Sequence, residues 1–239
     1  FINYAKERSF CGFNVTMPHK VDIIRYLDEI DEDAKRYNSV NTVRIKNGRL
    51  YGFNTDGRGY IRALQDKDFF CGGKRAVILG AGGAASTVAL KLAAEGAESI
   101  TVLNRTAEAA QRLAENIKRQ TGKTVRTDAL LTEKISEYCD GCDILINGTP
   151  LGMQGVDADF TDFSFMDNLK KGALVSDLIY NPPMTAFLKN AAERGFETVN
   201  GLGMLIYQGL IADEIFLEKE LDFQDLQKKI KNSIEKMKK

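Results

Sequence analysis

The stretch that decides the fold is residues 74–106, KRAVILGAGGAASTVALKLAAEGAESITVLNRT. Its first apolar run, residues 76–79, is long enough for one buried strand, and a glycine-rich turn follows directly. Ala84, Val88 and Leu92 then follow with the spacing of a helix that Gly96 ends, and a second apolar run occupies residues 100–103. Strand, turn, helix and strand within about 30 residues predict one βαβ unit of a parallel sheet.

The turn has the pattern G-x-G-x-x-A, from Gly80 to Ala85. Gly80 can adopt backbone angles that a side chain disfavours, and Gly82 lets a pyrophosphate approach the main chain closely. The first N–H groups of the following helix then face phosphate oxygens, with the helix dipole behind them. A tight turn without a ligand is the alternative, but the flanking strand and helix favour nucleotide binding. The predicted nucleotide-binding residues of this turn are Gly80, Ala81, Gly82, Gly83 and Ala84.

The residues that follow the second strand, Asn104, Arg105 and Thr106, bear on which nucleotide binds. Units selective for NAD usually place a carboxylate here, where it holds the ribose 2′-hydroxyl. A guanidinium and a hydroxyl suit a 2′-phosphate instead, because arginine offers a fixed fork of donors to phosphate oxygens. The sequence therefore predicts NADP, held by these three residues. The alternative is a surface arginine beside Thr106 as a helix N-cap.

The overall charge and hydropathy of the chain exclude some partners. Its 239 residues carry 33 lysines and arginines against 33 aspartates and glutamates, so no net charge attracts nucleic acid or an anionic membrane. No apolar run approaches the roughly 20 residues that cross a bilayer. We expect a cytoplasmic protein with no nucleic-acid partner and no membrane partner.

Histidine and cysteine usage argues against metal chemistry. His19 is the sole histidine, which excludes zinc motifs with paired histidines. Cys139 and Cys142 form a C-x-x-C pair, but they are predicted to follow a helix and precede a strand, whereas a redox pair usually opens a helix. We expect no metal ion and no redox pair.

Polar residues near the N-terminus outline a second candidate site. Asn14 and Thr16 alternate with apolar neighbours, which places both on one face of a strand that Pro18 ends. Lys20 then lies at the start of a predicted amphipathic helix over residues 21–30.

Two further polar residues follow. Asn41 lies in the first strand of a predicted hairpin whose turn is Asn47-Gly48, and Asp56 follows the second strand and precedes a helix. Lys20, Asn41 and Asp56 all lie at strand ends, where open α/β sheets keep their sites. A solvated surface lysine and an aspartate that caps a helix are the simpler alternatives.

These positions belong to motifs that recur along the chain in a fixed order. The motifs are GFNVTMPHK (12–20), SVNT (39–42), GFNTDGRG (52–59), GAGGAAS with NRT (80–86, 104–106), NGTPLGM (147–153), DLIYNP (177–182) and GLGM with Gln208 (201–204). In this combination and order, the sequence resembles the shikimate dehydrogenase family over residues 12–212.

The resemblance implies an α/β protein with a Rossmann-type doubly wound parallel sheet and a smaller α/β substrate domain, with a cleft between them. The expected domains are a substrate (catalytic) domain, 1–57 and 203–239, and an NADP-binding Rossmann domain, 58–202. Residues 154–168 are expected to form an exposed loop. The implied reaction is the NADP-dependent, reversible reduction of 3-dehydroshikimate to shikimate in aromatic amino acid and chorismate biosynthesis, by a monomer or a homodimer.

The resemblance also implies roles for individual residues. Lys20 would be the general acid and base, and Asp56 would hydrogen-bond both the lysine and a substrate hydroxyl. The backbone at Gly201 and the side chain of Leu178 would lie near the nicotinamide, and Thr149 would face the cofactor crevice. The residues expected to contact the substrate are Asn14, Thr16, Asn41, Tyr180 and Gln208. For Gln208, satisfying a buried backbone group is the alternative.

Two features depart from the family pattern. Members begin with a strand and a helix that carry two serines for the substrate carboxylate, and this region would precede Phe1. Ala109 stands where members often have a second basic residue, which leaves Arg105 and Thr106 to hold the 2′-phosphate.

Three alternatives to this function stay open. They are a quinate or quinate/shikimate dehydrogenase using NAD, a non-catalytic NADP-binding sensor, and an inactive fragment. The lack of a carboxylate after the second strand argues against the first, and the presence of both Lys20 and Asp56 argues against the second.

Overall fold

The computed structural model describes residues 1–237, so Lys238 and Lys239, at the end of the predicted substrate domain, lie outside the described residues. The chain divides into two compact units: unit 1 contains residues 1–59 and the described residues from 205 onward, and unit 2 contains residues 60–204.

The helices and strands run in the following chain order. They are α1 (Ile2–Glu7), β1 (Gly12–Asn14), β2 (Glu29–Ile30), α2 (Glu32–Tyr37), β3 (Thr42–Lys46), β4 (Arg49–Phe53), α3 (Asp56–Gln65), β5 (Arg75–Leu79), α4 (Gly83–Ala94), β6 (Ser99–Asn104), α5 (Ala107–Thr121), β7 (Arg126–Ala129), α6 (Thr132–Cys139), β8 (Ile144–Asn147), β9 (Leu174–Asp177), α7 (Ala186–Glu193), β10 (Glu197–Val199), α8 (Leu202–Leu217) and α9 (Phe223–Met237). Two short 3₁₀ helices, Asp22–Tyr26 and Ser164–Asn168, complete the set.

Unit 1 is built on a mixed four-stranded sheet in the order β1-β3-β4-β2. β3 pairs antiparallel with β1 and β4, and β2 runs parallel to β4. The predicted hairpin is confirmed: Asn47 and Gly48, with φ of 51° and 75°, form the two-residue turn between β3 and β4. Positive φ at both positions matches the turn type that follows the right-handed twist of two-stranded ribbons.

Unit 2 is built on a six-stranded, all-parallel sheet in the order β10-β9-β8-β5-β6-β7. The first strand along the chain, β5, lies in the middle, the next two lie on one side of it, and the last three lie on the other. This is the doubly wound Rossmann order, and the order reverses between β5 and β8. The predicted βαβ unit (β5, α4, β6) and the predicted fold class are confirmed.

The core of unit 2 explains why β5, β6 and β8 appear in the sequence as apolar runs. Helices cover both faces of a parallel sheet, so successive side chains are buried in both directions. Ile78, Leu79 and Leu103 are fully buried, as are Leu145 and Val175.

The predicted helix over residues 21–30 was wrong. Only the 3₁₀ helix Asp22–Tyr26 forms, and the chain then enters β2, while Val21, which helical spacing would bury, is 54% exposed. The reason is strand pairing: the Asp28 N–H donates to Leu50 O at 2.9 Å, and the Leu50 N–H donates to Asp28 Oδ2 at 2.7 Å. These bonds to β4 end the helical turn.

The prediction of an exposed loop over residues 154–168 was wrong at its end. Phe165 and Met166, in the second 3₁₀ helix, are fully buried. Phe165 and Phe160 pack against Phe187 of α7, with ring centroids 6.5 and 5.4 Å away. Burial of these aromatic rings anchors the segment to the core of unit 2.

Candidate functional site: an acid–base pair and a nucleotide turn

An ion pair forms the centre of the polar cluster in unit 1. Lys20 Nζ donates to Asp56 Oδ2 at 2.7 Å. The two side chains are 24% and 18% exposed, so solvent reaches the pair only in part. A charge-assisted hydrogen bond in a partly desolvated setting holds the ammonium group at a defined point.

Asn41 fixes the other carboxylate oxygen of this pair. Its side chain, 3% exposed, donates through Nδ2 to Asp56 Oδ1 and to Thr55 Oγ1, each at 2.9 Å. Asn41 Oδ1 accepts from Thr55 N at 3.0 Å and from Thr42 Oγ1 at 2.9 Å. Because the NH₂ group and the oxygen of this buried amide both have hydrogen-bond partners, the Asn41 side chain is held in one orientation. It therefore fixes the orientation of the Asp56 carboxylate.

Backbone pairing brings these side chains together from distant parts of the chain. Val40 N donates to Lys20 O at 2.8 Å, Asn41 N donates to Phe53 O at 3.0 Å, and Val15 N donates to Asn41 O at 2.8 Å. The chain around Asn41 is therefore bonded on both sides at the ends of its neighbouring strands.

The simpler interpretation of Asp56 as a helix cap does not describe its side chain. Asp56 is the first residue of α3, and its own N–H donates to Asn54 Oδ1 at 3.1 Å. Its carboxylate is used for Lys20 and Asn41 instead. Asn54 supplies the local side-chain acceptor at this helix start.

Two more predicted residues lie beside the cluster. Gln208 of α8 has Oε1 at 3.4 Å from Asn41 Nδ2 and donates through Nε2 to Leu205 O at 3.0 Å. Asn14 is exposed at the end of β1, and its Oδ1 accepts from Thr42 Oγ1 at 3.2 Å. Gln208 thus bonds a backbone carbonyl and also faces the buried amide of the cluster.

Thr16 and Tyr180 have more open surroundings. Thr16 is exposed, and within residues 1–237 its side chain makes no hydrogen bond. Tyr180, in unit 2, is 52% exposed. Both side chains are accessible from solvent.

The glycine turn of unit 2 has the geometry that its sequence predicts. Gly80 has φ +101°, and a Cβ atom there would lie 3.0 Å from the carbonyl carbon and oxygen of Gly148. Its N–H donates to Leu103 O at 2.7 Å, which ties the turn to β6. A side chain at this position would meet both backbone strain and a neighbouring main chain.

The start of α4 offers an open surface. Gly82 is its N-cap and Gly83 its first residue, and no atom lies within 4 Å of a Cβ placed at either one. Ala84 and both glycines are exposed, and Ala81 is partly buried. A ligand can therefore approach the main chain at the first turn of α4, and the free N–H groups of a helix start are the groups that receive a phosphate.

Asn104 links the glycine turn to the predicted 2′-phosphate site. Its Oδ1 accepts from Ala81 N at 3.1 Å, and its Nδ2 donates to Thr106 O at 2.9 Å. Arg105 and Thr106 are exposed, and over the described part of the chain their side chains form no hydrogen bond or ion pair. Thr106 occupies the N-cap position of α5 without a side-chain cap bond. The guanidinium and the hydroxyl are both available to a ligand.

The remaining predicted cofactor residues follow β8, β9 and β10. Thr149 Oγ1 donates to Asn147 Oδ1 at 2.7 Å, and Leu178 N donates to Asn147 O at 2.9 Å. Gly201 N donates to Ile179 O at 3.0 Å, and a Cβ at Gly201 would lie only 2.2 Å from Leu178 O. The three residues therefore share a tightly packed backbone at the carboxyl edge of the sheet.

Sequence reasoning missed the buried polar residues beneath both sites. In unit 1 these are Thr42 and Thr55, which hold Asn41. In unit 2 the fully buried Asp177 carboxylate accepts from Asn147, Thr185 and Ile179. Burial raises the pKa of Asp177, and the hydrogen bonds from Thr185, Ile179 and Asn147 oppose the rise. An aspartate that ends a fully buried strand was the available signal.

Three further features concern metal binding, membrane insertion and disulfide formation. Within residues 1–237, no three side chains of His, Cys, Asp or Glu are grouped so that they could hold a metal ion. The described helices include none that combines the length and apolar character needed to cross a membrane. All four cysteines are free thiols.

Comparison with known proteins identifies relatives of both units. A sequence model described as the shikimate dehydrogenase substrate binding domain matches residues 1–43, and one described as shikimate / quinate 5-dehydrogenase matches residues 64–153. A shikimate dehydrogenase (NADP(+)) of Methanococcus maripaludis strain C6 is 43% identical over 233 residues, which cover 98% of this chain and 81% of the relative.

Solved structures give the same result. A shikimate dehydrogenase in complex with NADP+ is 39% identical with a TM-score of 0.84, covering 98% of this chain and 80% of that one. The 5-ketofructose reductase of Gluconobacter sp. strain CHM43 is 40% identical, also with a TM-score of 0.84, covering 97% and 82%. The resemblance drawn from the motifs is confirmed, and the chain belongs to the shikimate dehydrogenase family.

Proposed function

We propose that this protein catalyses the reversible, NADP-dependent reduction of 3-dehydroshikimate to shikimate. The observation that carries the proposal is the partly exposed Lys20–Asp56 pair, held by the buried Asn41, in a chain whose relatives are named for this reaction. In this proposal the predicted substrate domain, residues 1–57 and 203–239, binds the substrate, and the predicted nucleotide domain, residues 58–202, binds NADP.

Lys20 acts as the general acid and base. When NADPH is bound, it supplies the hydride that adds to the ring carbonyl. The Lys20 ammonium then donates a proton to the developing alkoxide, and in the oxidative direction the neutral amine removes that proton from the hydroxyl. Positioned proton transfer of this kind contributes about 10²- to 10⁴-fold in rate.

Asp56 orients the lysine and presents its remaining acceptor capacity to a substrate hydroxyl. Each of its oxygens already accepts one hydrogen bond, from Lys20 and from Asn41, and an ionised carboxylate has about four lone-pair sites. One carboxylate can therefore fix both the proton donor and the ring that receives the proton.

Other side chains hold the substrate, and their surroundings suggest different tasks. Asn14, Thr16 and Tyr180 are exposed polar groups that are suited to direct contact with hydroxyl or carboxylate groups. Asn41 is buried and bonded on both sides, so its main contribution is to hold Asp56. Gln208 faces Asn41 from α8 and can add a donor or an acceptor.

NADP binds along the carboxyl edge of the parallel sheet. Gly80, Ala81, Gly82, Gly83 and Ala84 receive the pyrophosphate, and Arg105 and Thr106, positioned by Asn104, receive the 2′-phosphate. Support comes from the open space at Gly82 and Gly83 and from the unpartnered Arg105 guanidinium among the described residues. Thr149, Leu178 and Gly201 line the nicotinamide end.

We further propose that one chain is the catalytic unit, as a monomer or as half of a homodimer, and that it works in the cytoplasm. One chain supplies the acid–base pair and the nucleotide turn. Its four free thiols are typical of a reducing compartment.

The decisive experiment follows the reduced nicotinamide at 340 nm with the purified protein. We expect rapid NADP+ reduction with shikimate, and at least tenfold lower kcat/KM when NAD+ replaces NADP+ or when quinate replaces shikimate. 5-Ketofructose with NADPH is included because one neighbour reduces that sugar by name. A preference for quinate or 5-ketofructose would overturn the substrate assignment. NADPH binding without turnover of any substrate and cofactor combination would favour the non-catalytic NADP-binding sensor.

A further inference from the structure

We propose that Asp177 is a positioning residue that sets the shape of the nicotinamide end of the cofactor site. This inference rests on the proposed binding of NADP. Asp177 is the last residue of β9 and is fully buried. Its Oδ1 accepts from Ile179 N at 3.0 Å and Asn147 Nδ2 at 3.1 Å, and its Oδ2 accepts from Thr185 Oγ1 at 2.6 Å. One carboxylate thus ties together its own turn, the end of β8 and the start of α7.

Asn147 carries this constraint to Thr149. A carboxylate only accepts hydrogen bonds, so the Asn147 NH₂ group must face Asp177 and its oxygen must point the other way. That oxygen accepts from Thr149 N at 3.0 Å and from Thr149 Oγ1 at 2.7 Å. Leu151 O, 3.4 Å from Asn147 Nδ2, is a second and more distant acceptor for this NH₂ group. Asp177 accepts the shorter bond, so its acceptor character favours the orientation of the Asn147 amide that holds the Thr149 hydroxyl.

The position of Thr149 matters to the nucleotide turn. A Cβ atom placed on Gly80 would lie 3.1 Å from Thr149 Cγ2, so the threonine methyl lies directly against the turn. Thr149 Oγ1 also accepts from Leu151 N at 3.2 Å, which fixes the next peptide. Rotation of Thr149 would change the wall of the site beside Gly80.

The second arm of the network reaches Leu178 and Gly201. The bond from Ile179 N to Asp177 Oδ1 fixes the peptide that follows Leu178, and Gly201 N donates to Ile179 O at 3.0 Å. Thr149, Leu178 and Gly201 are therefore all connected to Asp177 by one or two hydrogen-bonded steps. No other described carboxylate bonds to all three of Asn147, Ile179 and Thr185.

The network calls for a carboxylate rather than an amide at position 177. Three donors face its two oxygens, and an asparagine would present an NH₂ group to at least one of them. One buried donor would then lose its partner, or the Asn147 amide would turn over and withdraw its oxygen from Thr149. Either result leaves the side chain in contact with Gly80 less well fixed.

The test measures NADPH binding directly, by the change in NADPH fluorescence and without substrate. We expect Asp177→Asn to raise the Kd for NADPH by about 10- to 100-fold, the loss that corresponds to one or two buried hydrogen bonds. Ile135→Ala, in the core of the same unit, is the stability-matched control and should leave the Kd within twofold.

Each outcome separates positioning from general destabilisation. A Kd within twofold for Asp177→Asn would overturn the inference, as would an equal loss of affinity in Ile135→Ala. If Asp177→Asn does not fold, Asn147→Ser removes the same link to Thr149, and unchanged affinity there has the same meaning. Wild-type protein that does not bind NADPH would instead overturn the proposed function.

Discussion

Lys20 Nζ and Asp56 Oδ2 lie 2.7 Å apart, although 36 positions separate the two residues in the chain. Hairpin pairing brings them together, and Asn41 Nδ2 holds the second oxygen of the carboxylate at 2.9 Å. The ammonium group therefore has a fixed place at the surface of unit 1, where three-quarters of the lysine side chain is shielded from solvent.

Replacing Lys20 by alanine should lower kcat by about 10²- to 10⁴-fold with little change in KM for shikimate, because the proton is transferred only in the chemical step. Steady-state rates at 340 nm measure this effect. Lys35→Ala is the matched control, because Lys35 is an exposed lysine of the same unit that pairs with Glu32. A Lys20→Ala variant with near-normal kcat would remove the lysine from the mechanism.

Replacing Asn41 by aspartate should destabilise unit 1 and misplace Asp56. The new carboxylate loses the donors to Thr55 and Asp56 and sets like charges about 2.9 Å apart. A loss of about 2 kcal/mol is expected, which corresponds to a Tm lower by roughly 4–8 °C. Acidification should reduce the difference in Tm between Asn41→Asp and the wild type. Protonation of the new carboxylate removes its negative charge and gives it a donor again. Asn3→Asp, at an exposed position of α1, should change Tm by less than about 1 °C. An equal loss of Tm in the two variants would contradict the proposed support of Asp56 by Asn41.

Replacing Arg105 by alanine should weaken use of NADP+ without affecting NAD+. The exposed guanidinium has no partner among the described side chains, so its removal should cost little stability. Loss of charge-assisted bonds to a 2′-phosphate should raise KM for NADP+ by about 10- to 100-fold, and KM for NAD+ should stay within about twofold. Arg112→Ala, on the exposed side of α5, is the control. An equal effect of Arg105→Ala on both cofactors would exclude a 2′-phosphate contact.

Thiol labelling should find one reactive cysteine in the folded protein. Cys11 is exposed, whereas Cys71, Cys139 and Cys142 are buried. Burial raises the pKa of all three buried thiols, so little thiolate forms near neutral pH. A thiol reagent at pH 8 should label one site rapidly and the other three only in denaturant. Rapid labelling of Cys139 or Cys142 would reopen the redox hypothesis for the C-x-x-C pair.

The same thiols predict a loss of stability in alkali. Burial raises the pKa of Cys142 from 9.0 to about 12, so above pH 9 the unfolded chain releases this proton while the folded chain keeps it. The free energy of unfolding should then fall by up to about 1.4 kcal/mol per pH unit for each such thiol. Urea unfolding at pH 8, 9 and 10 should show a shallower decline for Cys142→Ala than for the wild type. Parallel declines would mean that Cys142 does not ionise on unfolding.

The glycine turn and its sheet could be predicted from the sequence because their signals are local. The apolar runs, the glycines and the helix of the βαβ unit follow one another within residues 74–106, so no distant contact was needed. Motif order then placed Lys20 and Asp56 in one site, and the structure brings the two together.

The failures concern contacts made across long stretches of chain. Residues 21–30 have helical spacing, but Asp28 pairs with Leu50, which spacing within the segment cannot indicate. Asp177 ends β9, and no residue near it in the sequence indicates its partners, because Asn147 and Thr185 come from other parts of the chain. Polar groups beneath a site depend on tertiary structure more than on any short motif.

Ala85, the last residue of the G-x-G-x-x-A pattern, restricts which substitutions this part of the chain can accept. Ala85 is fully buried, and a Cβ on Gly148 would lie 2.7 Å from the Ala85 methyl. The space between residues 85 and 148 therefore holds one methyl group but not two. The residue at position 148, after β8, limits the size of the side chain at position 85, after β5. A larger side chain at position 85 therefore requires that position 148 stay glycine, and a side chain at position 148 requires a smaller residue at 85. The residue allowed in the nucleotide-binding pattern thus depends on a position outside that pattern.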